Sequence, residues 1–492
     1  MNKFAEGECT VNMSDMQFKM ILHELAGIVG HEHVITAEAD LPPYSVDYFW
    51  VPRLMIDRGR LPPLPDVVVL PGTVEEVSRV VKLANIYHVP VVAWGGGSGS
   101  QGGTLSMYGG ITMDLKRLNG IIEINDTNGT VTAEAGINGY ELESALVAAG
   151  WTLPHYAASV HSATLGGYLA ARGSGTISTK YGKAEDMVLQ VEVVLPNGDI
   201  VETLPVPNHA AGPGILQMFV GSEGSFGIIT KATMRLERVP EVRRFRSYLF
   251  PDMHAGLEAG RNIMLDRLQP LVIRLYDERS TIKTVKRVLG QDVNQGSYMV
   301  IGFDGFKDIV EAQERHAFAI CEQYGGENLG EEAGRQWWEH RYDFYFPPKV
   351  LDLPWMFGTL DTVSTYDKLE AIYWAKRETL EKKFEAWDLF YYAHFSHWYL
   401  WGVMAYDRFI IENPPEDPDE ALALHNEAWD EAVRINIEYG GVINEHHGVG
   451  LKMARHVRPQ YGPAFQVIEG LKNTLDPYNL MNPGKMGFGP PR

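Results

Sequence analysis

The sequence predicts an α+β fold in two domains, on three observations. Its 492 residues exceed one domain at roughly 100–200 residues each. From residue 61 to about 236, short apolar runs mix with helical patterns, without the even repeat of a βαβ array. After Arg238-Val239-Pro240 the chain turns to long polar helical patterns and clustered aromatics. The expected units are 1–238 (a core at 61–238 preceded by an N-terminal extension), a second domain at 239–439, and a closing segment at 440–492.

The elements follow in order. Asp66-Val67-Val68-Val69-Leu70-Pro71 is a short buried strand. Thr73 is an N-cap for a helix over 73–87, with Glu76 three residues on and Val77, Val80, Val81 and Ala84 on one face. Val89-Pro90-Val91-Val92-Ala93-Trp94 is a second strand, ended by glycines. Strands at 111–115, 120–124 and 130–135 and a helix at 138–149 come next. The strand 188–195 runs into Pro196-Asn197-Gly198-Asp199, a hairpin signal. Helical patterns return at 367–384 and 421–439, with the acidic, Pro-rich stretch 412–420 between them as a surface loop.

Composition narrows the function. Apolar residues at 45% and charged residues at 22% describe a globular chain. Lys plus Arg number 43 against 63 Asp plus Glu, a formal charge of −20. That balance argues against nucleic acid or an anionic membrane as partner, though a few local arginines can still hold an anionic substrate. Two cysteines, Cys9 and Cys321, exclude a disulfide framework. With no signal-peptide pattern at 1–20 and no run of 18 apolar residues, a cytoplasmic protein without a transmembrane segment is expected.

Three loops carry the cofactor chemistry. The first follows a strand: Trp94, Gly95, Gly96, Gly97, Ser98, Gly99, Ser100 and Gln101. Glycine lets backbone N–H groups approach an anion closely, which suits a pyrophosphate. A flexible surface loop is the plainer alternative. No Gly-Lys-Ser/Thr closes it, so it is not a Walker phosphate loop. The second holds Ser162, Thr164, Gly166 and Gly167, and the third Glu223, Gly224, Gly227, Ile228 and Ile229. Three such loops in one domain fit a shell around one large phosphate-bearing cofactor better than three idle turns.

The segment 440–450 contains Glu445-His446-His447-Gly448. Imidazole titrates near neutrality and can take a hydroxyl proton. A metal site completed by His394 and His397 is a second reading, and a His pair bonded to loop backbone a third. Arg274, on the apolar strand pattern Val272-Ile273-Arg274-Leu275-Tyr276-Asp277, needs an anionic partner or an ion pair with Asp277.

The three loops resemble those of the flavin-binding domain shared by vanillyl-alcohol oxidase, p-cresol methylhydroxylase, D-lactate dehydrogenases and alkyl-dihydroxyacetonephosphate synthase. The closing run Leu475-Asp476-Pro477 to Leu480-Met481-Asn482-Pro483-Gly484-Lys485 is similar as well, so the resemblance covers Pro62 to the C-terminus. It implies FAD in a bipartite α+β domain, under a cap whose antiparallel sheet is flanked by helices. The first loop would hold the pyrophosphate, the second and third the two ring ends, with Asn482 joining them. The first loop has no His, which excludes covalent attachment there and leaves a cap residue open.

The His segment and Ala393-His394-Phe395-Ser396-His397-Trp398-Tyr399 resemble the synthase branch, whose motif has three consecutive His where this chain has Glu445-His446-His447. The resemblance puts Tyr406 on the catalytic tyrosine and Arg172 near flavin and substrate, with His397 and Tyr399 against the substrate. The motif of the metal-binding branch, His-x-Gly-Asp-Gly-Asn-x-x-His, is absent, so no metal is expected.

Together these imply an FAD-dependent oxidoreductase. His446 or His447, with Tyr406, would remove a hydroxyl proton as hydride passes to flavin N5, while Arg172 and Arg274 hold negative charge. The aromatic clusters favour an apolar or aromatic carbinol or phenol. The expected partners are a small-molecule substrate and an electron acceptor, oxygen or a redox protein, with a homodimer allowed. A non-redox transferase like the synthase, or a D-2-hydroxyacid dehydrogenase, is the alternative.

Overall fold

The structure, a computed structural model, describes residues 14–290, 293–343 and 353–492. Cys9 and the aromatics Phe344, Tyr345 and Phe346 lie outside them. Ser14 caps the first helix, Asp15–Val29, in a capping box with Gln17.

The first sheet has four strands. Val67–Val69 and Val91–Trp94 both run parallel to Ile111–Asp114 between them. Helix Val74–Tyr87 joins the first two, with the Thr73 side chain accepting from the Glu76 N–H. A parallel βαβ unit therefore stands inside the mixed domain. The second sheet is antiparallel, in the order Ile121–Asn125, Thr130–Glu134, Ile228–Arg235, Val188–Val194, Ile200–Glu202. The Asn197-Gly198 turn joins its last two strands, pairing Val194 with Ile200. The chain's end returns to the first sheet, where Val91 bonds to Leu480 and Asn482.

Among the described residues, seven antiparallel strands form the cap sheet, ordered Glu327–Leu329, Val242–Phe250, Ser297–Gly305, Val272–Tyr276, Phe390–Trp398, Gly402–Ile411, Met356–Thr365. Every residue from 297 to 304 is buried, so both faces are covered. Helices cover one: Leu275 packs on Gly256 of helix Met253–Leu265, and Phe395 on Tyr373 of helix Tyr366–Lys383. Strand alternation turns Arg274, Ser396 and Tyr406 the other way, towards the FAD domain. Most cap aromatics are core: Trp337 and Trp398 are buried, and Trp338 stacks on Phe245.

Two expectations change. The acidic stretch 412–420 is a loop only to Asp417, whose side chain accepts from the N–H groups of Asp419 and Glu420 and caps helix Pro418–Glu438. The second glycine loop is in part helical, over Leu165–Ala170, with Thr164 as cap. No described helix is long and apolar enough to cross a membrane.

Candidate active site

One cavity runs between the two domains. Gly95 to Gln101, then Ser162, Thr164, Gly166 and Gly167, then Glu223, Gly224, Gly227, Ile228 and Ile229 all line it. The first two loops touch so closely that a Cβ on Gly96 would lie 1.8 Å from the Ser162 carbonyl oxygen, and one on Gly95 2.5 Å from Thr164 Oγ1. Only glycine permits that approach. Trp94 lies beneath the loop, not in the lining, with its ring 2.5 Å from where a Gly97 Cβ would sit. Asn482 acts from behind, donating to Gly103 O (3.0 Å) and Glu223 O (2.6 Å), and so ties the first loop to the third. The Glu223 carboxylate accepts from the N–H groups of Val449 and Gly450, fixing the loop that carries the histidines. Burial pushes it up to about 7.

The cap closes the other end with Arg274, Phe357, Thr359, Ser396, His397, Tyr406, Arg408, His446 and His447. Strand register aligns three of the groups here, pairing Tyr406 with His394 on one side and with Asp361 on the other. His394 stacks on Tyr406, centroids 4.8 Å apart at 15°. Burial, helped by Arg274 and Arg408, holds His394 well below its ordinary value.

Asp361 is fully buried, and its Oδ2 accepts from the backbone N–H groups of His446 (3.4 Å) and His447 (3.2 Å). Its Oδ1 lies 2.8 Å from His447 Nδ1, and Oδ2 3.3 Å from His446 Nδ1. Burial disfavours that charge, yet the two imidazoles hold the carboxyl ionised well below the usual range. Glu445 behaves alike: against burial, His397 and Lys183 hold it ionised. Around Glu445 stand His446 Nδ1 at 2.7 Å, His397 Nδ1 at 3.0 Å, Lys183 Nζ at 3.4 Å and the Tyr399 hydroxyl, which donates to it. Burial lowers His446 to about 4, so it is neutral at pH 7.

Besides Trp94 and Asn482, three more expected placements change. Arg172 lies outside the lining although Ala171 and Gly173 are in it. With its backbone left-handed at φ 51°, its side chain leaves the wall, and the guanidinium donates to Val220 O (3.1 Å) and Gln217 O (3.3 Å). Tyr399 supports Glu445 from behind and does not line the cavity. Asp277 accepts from Ser280 N, Tyr373 Oη and Ala393 N, on the helix-covered side, so the sequence-local pair with Arg274 gives way to Arg274 facing the cavity. The ligand set His394, His397 and Glu445 is not assembled. Among the described residues, two other groups could hold a cation: His397 with Glu445 and His446, and Asp361 with His446 and His447.

Sequence reasoning missed Asp361, Lys183 and Arg408. An acid inside the otherwise buried strand Met356–Thr365 was the available signal for Asp361. A lone Lys183 after a turn carries none.

A cradle that a single Cβ would fill, at the end of a parallel strand and beside two further glycine loops, fits the pyrophosphate of a dinucleotide. Fold and site thus define a flavoprotein with an FAD-binding domain and a cap. Residues 65–204 match a family model described as "FAD binding domain", and 239–486 one described as "FAD linked oxidases, C-terminal domain". The chain belongs to the FAD-linked oxidase family, and its cofactor is FAD. It is 31% identical over 480 residues to alkyldihydroxyacetonephosphate synthase of Trypanosoma brucei brucei, covering 90% of this chain and 76% of that one. It is 30% identical over 481 residues to an uncharacterized FAD-linked oxidoreductase of Escherichia coli K12, covering 94% and 97%. A solved alkyldihydroxyacetonephosphate synthase superposes with a TM-score of 0.79 at 28% identity, over 95% of this chain and 86% of that one. p-Cresol methylhydroxylase, at TM-score 0.77 and 19% identity over 97% and 98%, shares the fold.

Proposed function

We propose that the protein oxidises a hydroxyl-bearing small molecule. The observation that carries this is the Asp361–His447 pair, set beside Tyr406 in a cavity continuous with the glycine loops. Bound FAD supplies the hydride acceptor. His447 takes the hydroxyl proton. Asp361, ionised and 2.8 Å from Nδ1, favours the proton on that nitrogen and stabilises the imidazolium that forms. Tyr406, 5.5 Å from the His447 ring and stacked on His394, orients the substrate oxygen. His446 stays neutral and positions His447, their centroids 4.0 Å apart. Arg274 holds negative charge on the substrate; Arg172, turned outward, keeps no part in the step. Of the clustered cap aromatics, Phe357 alone among the described residues lines the cavity.

The test is an anaerobic screen of carbinols, phenols and hydroxy acids against the yellow holoenzyme. Bleaching by a hydroxyl-bearing compound supports the reading; a flavin that no such compound reduces while turnover proceeds overturns it. Similarity to the synthase over 90% of the chain favours a second reading, a non-redox transfer. Glu445, in place of the first of three histidines, is the departure that counts against it. Net flavin reduction during turnover separates the two.

A further inference from the structure

One wall of the cofactor cavity comes from the N-terminal extension, ahead of strand Val67–Val69: Asp47 and Tyr48 line it beside the first glycine loop. Three hydrogen bonds pin this stretch. The Tyr48 N–H donates to Gly99 O at 2.8 Å, and the Tyr44 hydroxyl to Asp114 Oδ2 at 2.8 Å. The Trp50 indole N–H donates to Trp355 O of the cap at 2.7 Å. Tyr44 also packs edge-on against Trp94, with centroids 5.2 Å apart. The extension is thus a strap laid over the first loop and tied to both domains.

Asp47, at the centre of the strap, is only 4% exposed. Its Oδ1 accepts from the Phe49 N–H at 2.8 Å, and the Gly102 N–H faces the same carboxyl. Among the described residues, Oδ2 has no hydrogen-bond partner. It lies towards the first loop, 4.0 Å from where a Cβ on Gly99 would sit. That loop fits a pyrophosphate, which an ionised Oδ2 would repel, whereas a protonated carboxyl offers an O–H donor. Burial favours the protonated form, pushing Asp47 up to about 7 against the backbone N–H groups and the Lys485 ammonium. Lys485 faces it from the closing segment, held on Leu105 O and Asn482 Oδ1, and Arg53 from the helix that follows. Glu223 also acts on Lys485, but its own oxygens accept from Val449 and Gly450. Of the two acids lining this end, Asp47 is the one with an unused oxygen.

We propose that Asp47 is a cofactor-binding residue supplied by the N-terminal extension: its carboxyl O–H donates to an oxygen of bound FAD, and the strap that carries it retains the cofactor. This rests on FAD as the cofactor and is independent of the oxidation reading. The test dilutes the yellow holoenzyme at pH 6, 7, 8 and 9 and follows released FAD by its fluorescence. Ionisation of Asp47 removes the donor and adds a repulsion. The FAD dissociation constant should therefore rise about tenfold per pH unit above 7. Asp47→Asn keeps an acceptor for the Phe49 N–H and carries an amide donor, so it should hold FAD with little change from pH 6 to 9. Asp47→Leu has neither, and should bind FAD about tenfold more weakly than Asp47→Asn across that range. A dissociation constant in the parent that is level from pH 6 to 9 overturns the proposal without any variant. So does the parent's slope persisting in Asp47→Asn, or a slope that Glu223→Gln abolishes and Asp47→Asn keeps.

Discussion

Asp361 and His447 meet from strands and loops 86 residues apart, with Oδ1 2.8 Å from Nδ1 and the carboxylate wholly buried. A buried charge is tolerated only where partners repay its desolvation, and here two imidazoles and two backbone N–H groups do so.

Asp361→Asn keeps the size and removes the charge that steadies the imidazolium. Turnover should fall by about 10²–10⁴, the range a positioned general base contributes, with FAD content unchanged. Single-turnover flavin reduction, followed by stopped flow, checks it. A rate within a few-fold of the parent would remove Asp361 from the mechanism.

Gly96→Ala tests the cradle. The added Cβ would sit 1.8 Å from a backbone oxygen at Ser162, and backbone cannot step aside as a flexible side chain can. The first two loops must part, and the protein should purify folded but largely colourless. The ratio of absorbance at the flavin band to that at the protein band reads this directly; a fully yellow variant would show that the close approach is not needed.

Lys376 and Asp407 form a second buried pair on the helix side of the cap sheet, joined by Thr362 and by the Tyr391 hydroxyl, which donates to Asp407 Oδ1 at 2.6 Å. Burial lowers Lys376, and Asp407 opposes that shift. Lys376→Met leaves a buried carboxylate without its cation, which costs about 3–5 kcal/mol, whereas replacing both with apolar residues recovers much of it. Thermal melts of Lys376→Met and of Lys376→Met/Asp407→Leu should show a large drop and a partial rescue. Equal melting temperatures for both variants would contradict the pairing.

Much of this was legible. Thr73 and Asn197-Gly198 announce a cap and a turn through local chemistry, and each element forms where that chemistry puts it. The glycine loops were legible because close approach demands glycine. Side-chain direction was not: Arg172 follows a cavity-lining loop in sequence, but a left-handed φ sends it outward, and no residue pattern marks that turn. Asp361 was hidden for another reason, since its partners come from a segment whose distance along the chain says nothing of contact. The aromatics alone do not tell core from pocket, because sheet cores and pockets draw on the same residues.

The acid side of stability gives the last prediction. Burial lowers His155 to about 3 and His446 to about 4, whereas both titrate near 6.5 once unfolded. The unfolded chain therefore takes up protons that the fold refuses. Stability is complete above about pH 6.5 and is lost as pH falls towards those folded values, by up to about 1.4 kcal/mol per pH unit for each histidine. Asp361 and Glu445 act in the same direction further down. Held below 3.8 and 4.5, they contribute stability above those values that disappears as pH falls through their folded ones. Glu223 and Asp47, pushed up to about 7 by burial, act in the opposite direction between pH 7 and 4.5, so the parent's slope there is a balance and each histidine shows only against a variant that lacks it. His155 isolates one term, because neither ring nitrogen has a hydrogen bond and its ring packs edge-on to Tyr168 at 4.2 Å. His155→Phe keeps that packing and removes the proton site, so its melting temperature should gain on the parent's steadily as pH falls from 6.5 to 4.5. A His155→Phe variant whose melting temperature differs from the parent's by the same amount at pH 7 and pH 5 would show that the buried imidazole is protonated in the fold.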